Sequence, residues 1–122
     1  AGEIPVKRPR KRPTQKPVNW QWTDSRDNVS ILTAAKDVNM SRDLIVAISN
    51  VKTCSRQRTR IILMIEPTNV VISMRQGGQV TLTADSIRTN VRDGKTIVTF
   101  LKGMMPVKST LARNITNIGA AA

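Results

Sequence analysis

Arg56, Arg58 and Arg60 stand at alternate positions, with Lys52 just upstream. On a β-strand alternate side chains leave one face at intervals of about 6.6 Å, near the phosphate repeat along a single nucleic-acid strand. Guanidinium groups spaced this way suit a polyanion. Arg88 and Arg92, four apart ahead of Asp93-Gly94, share a strand face as well and extend the patch. The competing reading is a solvated sheet face paired with acids of a neighbouring chain.

A second concentration of charge lies at the start of the chain. Lys7, Arg8, Arg10, Lys11, Arg12 and Lys16 fall within the first seventeen residues, where Glu3 is the one acid, so this arm carries +5. Pro5, Pro9, Pro13 and Pro17 fix φ and remove an amide donor at every fourth residue, which disfavours helix and ladder alike. An extended cationic arm over residues 1–17 is expected, ahead of one compact domain over 18–122. Subtracting the arm's six cations and one acid from totals of twenty and eight leaves fourteen against seven, or +7. Both parts of the chain therefore favour an anionic partner.

Trp20 and Trp22 flank Gln21 where arm meets domain, at strand spacing. Two rings on one side of an extended segment are expected to anchor the arm on the domain; stacking on bases or on a neighbouring subunit is the alternative. With Phe100 they are the chain's whole aromatic supply. Base reading by stacking platforms is therefore not expected, and phosphate contacts carry little base information.

Catalysis and metal binding find little material. The chain has no histidine, no tyrosine, one cysteine and eight scattered carboxylates. Cys54 has no partner for an intrachain disulfide and no histidine to act as its base, and reads as a small partly buried residue. Asp24 and Asp27 sit where a helix would be capped, and Asp85 and Asp93 at strand ends and turns. Arg75-Gln76-Gly77-Gly78-Gln79 lacks the lysine and hydroxyl of a phosphate-binding loop and reads as a hairpin turn. No enzyme activity, metal, cofactor or small-molecule substrate is expected.

These residues must be positioned by an α+β fold. The pattern predicts a helix over Asp24 to Val38, with Val29, Leu32, Ala35 and Lys36 at helical spacing. A second helix is predicted behind Ser41-Arg42-Asp43, with Leu44, Ile45, Ile48 and Val51 on one face. From residue 56 the period becomes two: a strand over 56–66, a turn at Pro67-Thr68-Asn69, a strand over Val70 to Met74 and a turn at Gln76-Gly77-Gly78. Val80, Leu82 and Ala84 alternate with Thr81 and Thr83. Ile87 to Arg92 and Lys95 to Leu101 then flank Asp93-Gly94, a pair that tolerates the positive φ angles of a tight hairpin. Leu111, Ile115 and Ile118 suggest a last helix behind Ser109, although the composition also suits a strand. The expected architecture is two N-terminal helices and an antiparallel meander of four to five strands, preceded by the basic arm.

The longest aliphatic runs, Leu44 to Ile48 and Ile61 to Ile65, fall far short of the roughly 20 residues of a membrane span. No membrane partner is expected, and the N-terminus as given lacks a signal peptide's apolar stretch, which points to a virion or an intracellular nucleoprotein particle.

In composition and layout, residues 1–17 ahead of a strand-rich domain resemble the packaging arms of viral capsid and nucleocapsid proteins and the extended tails of ribosomal proteins. The resemblance implies a structural protein that binds nucleic acid without sequence preference through the arm residues Lys7, Arg8, Arg10, Lys11, Arg12 and Lys16, to which the strand spacing adds Lys52, Arg56, Arg58, Arg60, Arg88 and Arg92. It also implies association with copies of itself or with other particle proteins. The alternative is an interaction protein of a virion or secretion assembly, whose proline-rich arm straps onto a protein partner without nucleic acid.

Overall fold

The computed structural model describes residues 20–121. In chain order these form β1 (Trp22–Ser25), α1 (Asn28–Asp37), the single turn α2 (Arg42–Ile45), β2 (Ile48–Cys54), β3 (Thr59–Met74), β4 (Gln79–Arg92), β5 (Lys95–Lys102) and β6 (Met105–Leu111). A 3-10 turn at Ala112–Asn114 and β7 (Ile115–Ala120) complete them. All seven strands join one sheet: β1 to β6 lie side by side in chain order, and β7 returns to pair with β3. Every pairing between these strands is antiparallel, and the isolated bridge of Met40 to Ile118 is parallel. The expectation of two N-terminal helices and a meander of four to five strands is corrected, among the described residues, to one helix of more than a turn and seven strands. The arm over residues 1–17 lies outside the described residues.

α1 begins where the Asp27 side chain accepts a hydrogen bond from the Val29 N–H at 3.0 Å, filling one of the open donors of the first turn. It ends before Asn39, whose φ of 57° is left-handed. Its buried stripe is Ile31, Ala34, Ala35 and Val38, whereas Val29 is 68% exposed and Leu32 also faces solvent. The apolar stripe is thus rotated from the predicted one, because small alanines let the helix approach the sheet closely. Upstream, Asp24 and Ser25 leave the predicted helix and, with Trp22 and Thr23, pair with Cys54 to Val51 along the edge of β2.

The predicted second helix stops after one turn. Leu44, Ile48 and Val51 are all buried, as their spacing demanded, but a turn followed by a strand buries them. A bulge between Ile48 and Asn50 makes up the phase difference between the two periods. β-branched residues at 45, 46, 48 and 51 favour the strand once β3 offers an edge.

β3 runs unbroken through Pro67-Thr68-Asn69, where a turn was expected. Leu63 pairs with Ser86 and Thr68 with Ala84, five steps on β3 against two on β4, so three residues bulge out of the ladder. Proline, with no amide to donate, is tolerated there. At the bulge β3 also changes its other neighbour, from β2 up to Met64 to β7 from Val70 onward. On β4 the inward-facing position shifts phase across the same region, since Ile87 and Ala84, three apart, are both fully buried.

The last predicted helix is a strand as well. Ile115 and Ile118 sit opposite Met74 and Ile72, and an irregularity between Met74 and Ser73 lets two residues three apart on β7 face the core together. The Thr116 hydroxyl donates to the Ser73 carbonyl at 3.1 Å beside it. The segment after α1 holds β7 from the far side: the Asn39 carbonyl accepts from the Ile118 N–H at 2.9 Å, and the Ser41 N–H donates to the Ile118 carbonyl at 2.8 Å.

One cluster joins Ile31, Ala35 and Val38 of α1 to Val51, Ile62, Ile72, Ile87, Phe100 and Ile118 of the sheet. Asp93 and Gly94, with φ of 54° and 74°, close the β4–β5 hairpin as their residue types predict. None of the helices among the described residues is long and apolar enough to cross a membrane.

If the rotated stripe is right, Ile31→Ala should lower unfolding free energy by about 2–5 kcal/mol in urea titration, whereas Val29→Ala should change it by less than about 0.5 kcal/mol. Equal losses at the two positions would reinstate the face read from sequence.

Candidate nucleic-acid interface

The ladder sorts the candidate cations onto two faces. Residues paired across antiparallel strands point to the same side, so Asp24, Lys52, Ile61, Arg88, Thr99 and Ser109 form one row across six strands. The neighbouring row, Thr53, Arg60, Thr89, Val98 and Thr110, points to the opposite side. Val51, Ile62, Ile87 and Phe100 share that second side and pack with α1 in the core. Lys52 and Arg88 therefore occupy the face turned away from the helix, and Arg60 the face beneath it.

The three alternating arginines do not share a strand face. β2 ends at Cys54 and β3 begins at Thr59, which leaves Arg56 and Arg58 in the connecting turn. Arg58 has a left-handed φ of 47°, and Arg60 donates to Asp37 Oδ2 at 2.7 Å near the end of α1. These groups border a cleft of about 510 Å³, formed where the helix stops short of the sheet's end and lined also by Thr53, Thr89 and Thr96. Asp37 offsets part of its positive charge. Cys54, expected to be partly buried, is buried at its edge.

On the open face Arg92 stands directly opposite Lys95 beside the Asp93-Gly94 turn, in phase with Arg88. Lys52, Arg88, Arg92 and Lys95 thus stand on one side of the sheet. Among the described residues Arg60–Asp37 is the one ion pair, so none of these four has a carboxylate within 4.0 Å. Lys52 and Arg88 are two strand spacings apart, or about 10 Å. The groove between them, about 370 Å³, has an apolar floor of Ile61, Leu63 and Leu101, with Trp22 and Met104 also lining it.

Trp20 and Trp22 stack on each other with ring centroids 5.6 Å apart and planes 16° from parallel. They remain 40% and 37% exposed. Whether they anchor residues 1–17, as expected, lies outside the described residues, as do Lys7, Arg8, Arg10, Lys11, Arg12 and Lys16.

Sequence reasoning missed Lys95 and the groove. Lys95 was legible, because a two-residue turn at Asp93-Gly94 forces it opposite Arg92. The groove had a weaker signal in Ile61-Ile62-Leu63-Met64-Ile65, a run too apolar for a strand with one wet face. Leu101 and Met104 come from a hairpin whose register the sequence leaves open.

Four of the carboxylates among the described residues have local partners. Asp27 caps α1, Asp37 pairs with Arg60, and Asp85 accepts from the Gly103 N–H at 2.7 Å. The Ser41 hydroxyl donates to Asp43 and, aided by backbone amides, holds its carboxyl below the usual range. No three of the His, Cys, Asp or Glu side chains among the described residues converge to hold a metal ion. Neither a family model, a curated protein nor a solved structure matches this chain.

Arg58→Gly should raise unfolding free energy by about 0.5–1 kcal/mol, because glycine adopts positive φ freely and relief of the backbone exceeds its added unfolded-state entropy. Urea denaturation of this variant beside the parent chain checks it; a loss of stability would mean that the Arg58 side chain is itself a structural contact.

Proposed function

We propose that the chain is a structural, nucleic-acid-associated component of a nucleoprotein particle such as a virion, and that it holds the phosphate backbone through the open sheet face and the basic arm together. The observation that carries this reading is the quartet Lys52, Arg88, Arg92 and Lys95 on the sheet face turned away from α1, with no carboxylate of the described residues within 4.0 Å of any of them. Asp24, opposite Lys52 on the same face, offsets part of this charge; the remaining like charges repel, and a polyanion relieves that repulsion while releasing its own condensed counterions. The net charge of +12 steers the whole molecule to such a partner. Arg56 and Arg58 extend the cationic surface at the end of the sheet, while Arg60 is engaged with Asp37.

The role is binding, with no chemistry performed on the ligand. Phosphate contacts from lysine and arginine position a strand without reading it, so sequence preference is weak. Association with copies of the same chain or with other particle proteins belongs to the same reading: Met105 and Val107 on the edge strand β6, Val46 between α2 and β2, and Ile65 on β3 leave apolar surface exposed.

Fluorescence anisotropy with a labelled oligonucleotide of arbitrary sequence, across a series of salt concentrations, tests the proposal. If about six arm cations each meet a phosphate, log K falls against log salt with a slope of roughly −4 to −5 from the arm alone. Replacing Lys52 and Arg88 with glutamine should lower affinity at low salt and reduce that slope by about 1.4 to 1.8, the share of two phosphate contacts. Absence of binding to DNA and RNA at low salt would overturn the proposal in favour of an arm that straps onto a protein.

A further inference from the structure

The groove on the open face has a composition that phosphate binding alone does not require. Its floor is Ile61, Leu63 and Leu101, its walls include Trp22 and Met104, and its two cations, Lys52 and Arg88, stand on opposite sides of Ile61. A duplex offers such a surface phosphates, sugars and base edges but no flat base face, because its bases are stacked inside. An unpaired base offers a flat apolar face with a phosphate on either side, which matches a hydrophobic strip between two cations.

Met104 adds an independent observation. Lys102 pairs with Met105, so Gly103 and Met104 form a two-residue turn, with φ of 57° and 65°. Such turns favour glycine or asparagine at both positions. A long apolar side chain here carries a backbone penalty and gains little from burial, since Met104 is 89% exposed. Met104 nevertheless lines the groove. A residue that costs stability and projects into solvent at the rim of an apolar groove is placed to contact a ligand.

We infer that this groove seats one unpaired nucleobase of a single strand against Trp22 and Met104, while Lys52 and Arg88 hold the flanking phosphates, so that the protein prefers single-stranded nucleic acid to duplex. The inference rests on the proposed nucleic-acid reading and narrows its partner. Ser86 is the remaining polar lining residue, and its hydroxyl donates to Asp85 at 3.3 Å. Stacking therefore dominates over directed hydrogen bonds, and base identity has little influence.

The test uses the full chain with a twelve-nucleotide oligothymidylate and with the duplex formed by the same strand and its complement, at matched salt. Trp20 and Trp22 are the two tryptophans in the chain, so intrinsic fluorescence reports on the groove directly. Single strand should bind at least tenfold more tightly than duplex and quench tryptophan emission in step with binding. Trp22→Ala should weaken single-strand binding by about 5- to 100-fold and leave duplex binding unchanged. Met104→Gly relieves the left-handed backbone and so should fold at least as well as the parent; it should weaken single-strand binding severalfold. Equal affinity for both forms, without quenching and without an effect of Met104→Gly, overturns the groove and leaves the phosphate reading standing. Absence of binding to either form at low salt overturns both.

Discussion

Strand β3 is the constraint on which the described fold depends. Over sixteen residues it pairs with β4 on one edge, and on the other it holds first β2 and then β7. Three strands therefore draw ladder hydrogen bonds from it, β2 and β4 as its neighbours in the chain and β7 from a distant segment. The bulge after Leu63 allows the exchange. It releases three residues from the ladder, and Pro67 sits among the released positions, where a missing donor leaves no gap.

That arrangement fixes how charge is distributed. α1 and the β7 half of the sheet cover one face, whose rows are Val51, Ile62, Ile87 and Phe100. Cations placed there would lose hydration with little in return, and Arg60, at the margin of that face, is paired with Asp37. On the other face Lys52, Arg88, Arg92 and Lys95 keep their charged ends near water, at little cost to folding. Separation of an apolar layer from a cationic one therefore follows from ordinary solvation. What solvation alone leaves unexplained is the apolar groove set among those cations and the backbone penalty at Met104. Both make sense if a ligand completes the surface.

Where the sequence misled about the second and last helices and the Pro67 turn, bulges were the cause. Leu44, Ile48 and Val51 have helical spacing and are buried, yet a single turn, a strand and an irregularity after Ile48 produce that spacing. Ile115 and Ile118 repeat the pattern on β7, where an extra residue brings two side chains three apart to the same side. A strand with a bulge has a locally mixed period, and a window of ten residues cannot separate it from a short helix. Pro67-Thr68-Asn69 misled in the opposite sense, since residues typical of turns were accommodated as a bulge inside a long strand.

The sequence by itself determined the features whose causes are local. Asp93-Gly94 closes a hairpin through its tolerance of positive φ, Asp27 caps a helix through its own side chain, and the positive balance persists in any fold. Only the tertiary structure decided which cations stand together. Arg56, Arg58 and Arg60 were separated because a turn ends at Arg58, while Lys52, Arg88, Arg92 and Lys95, spread over forty-four positions from first to last, were gathered by strand register. Register depends on pairing between distant segments, and a shift of one residue moves every side chain to the other face, so no local pattern could specify the set in advance.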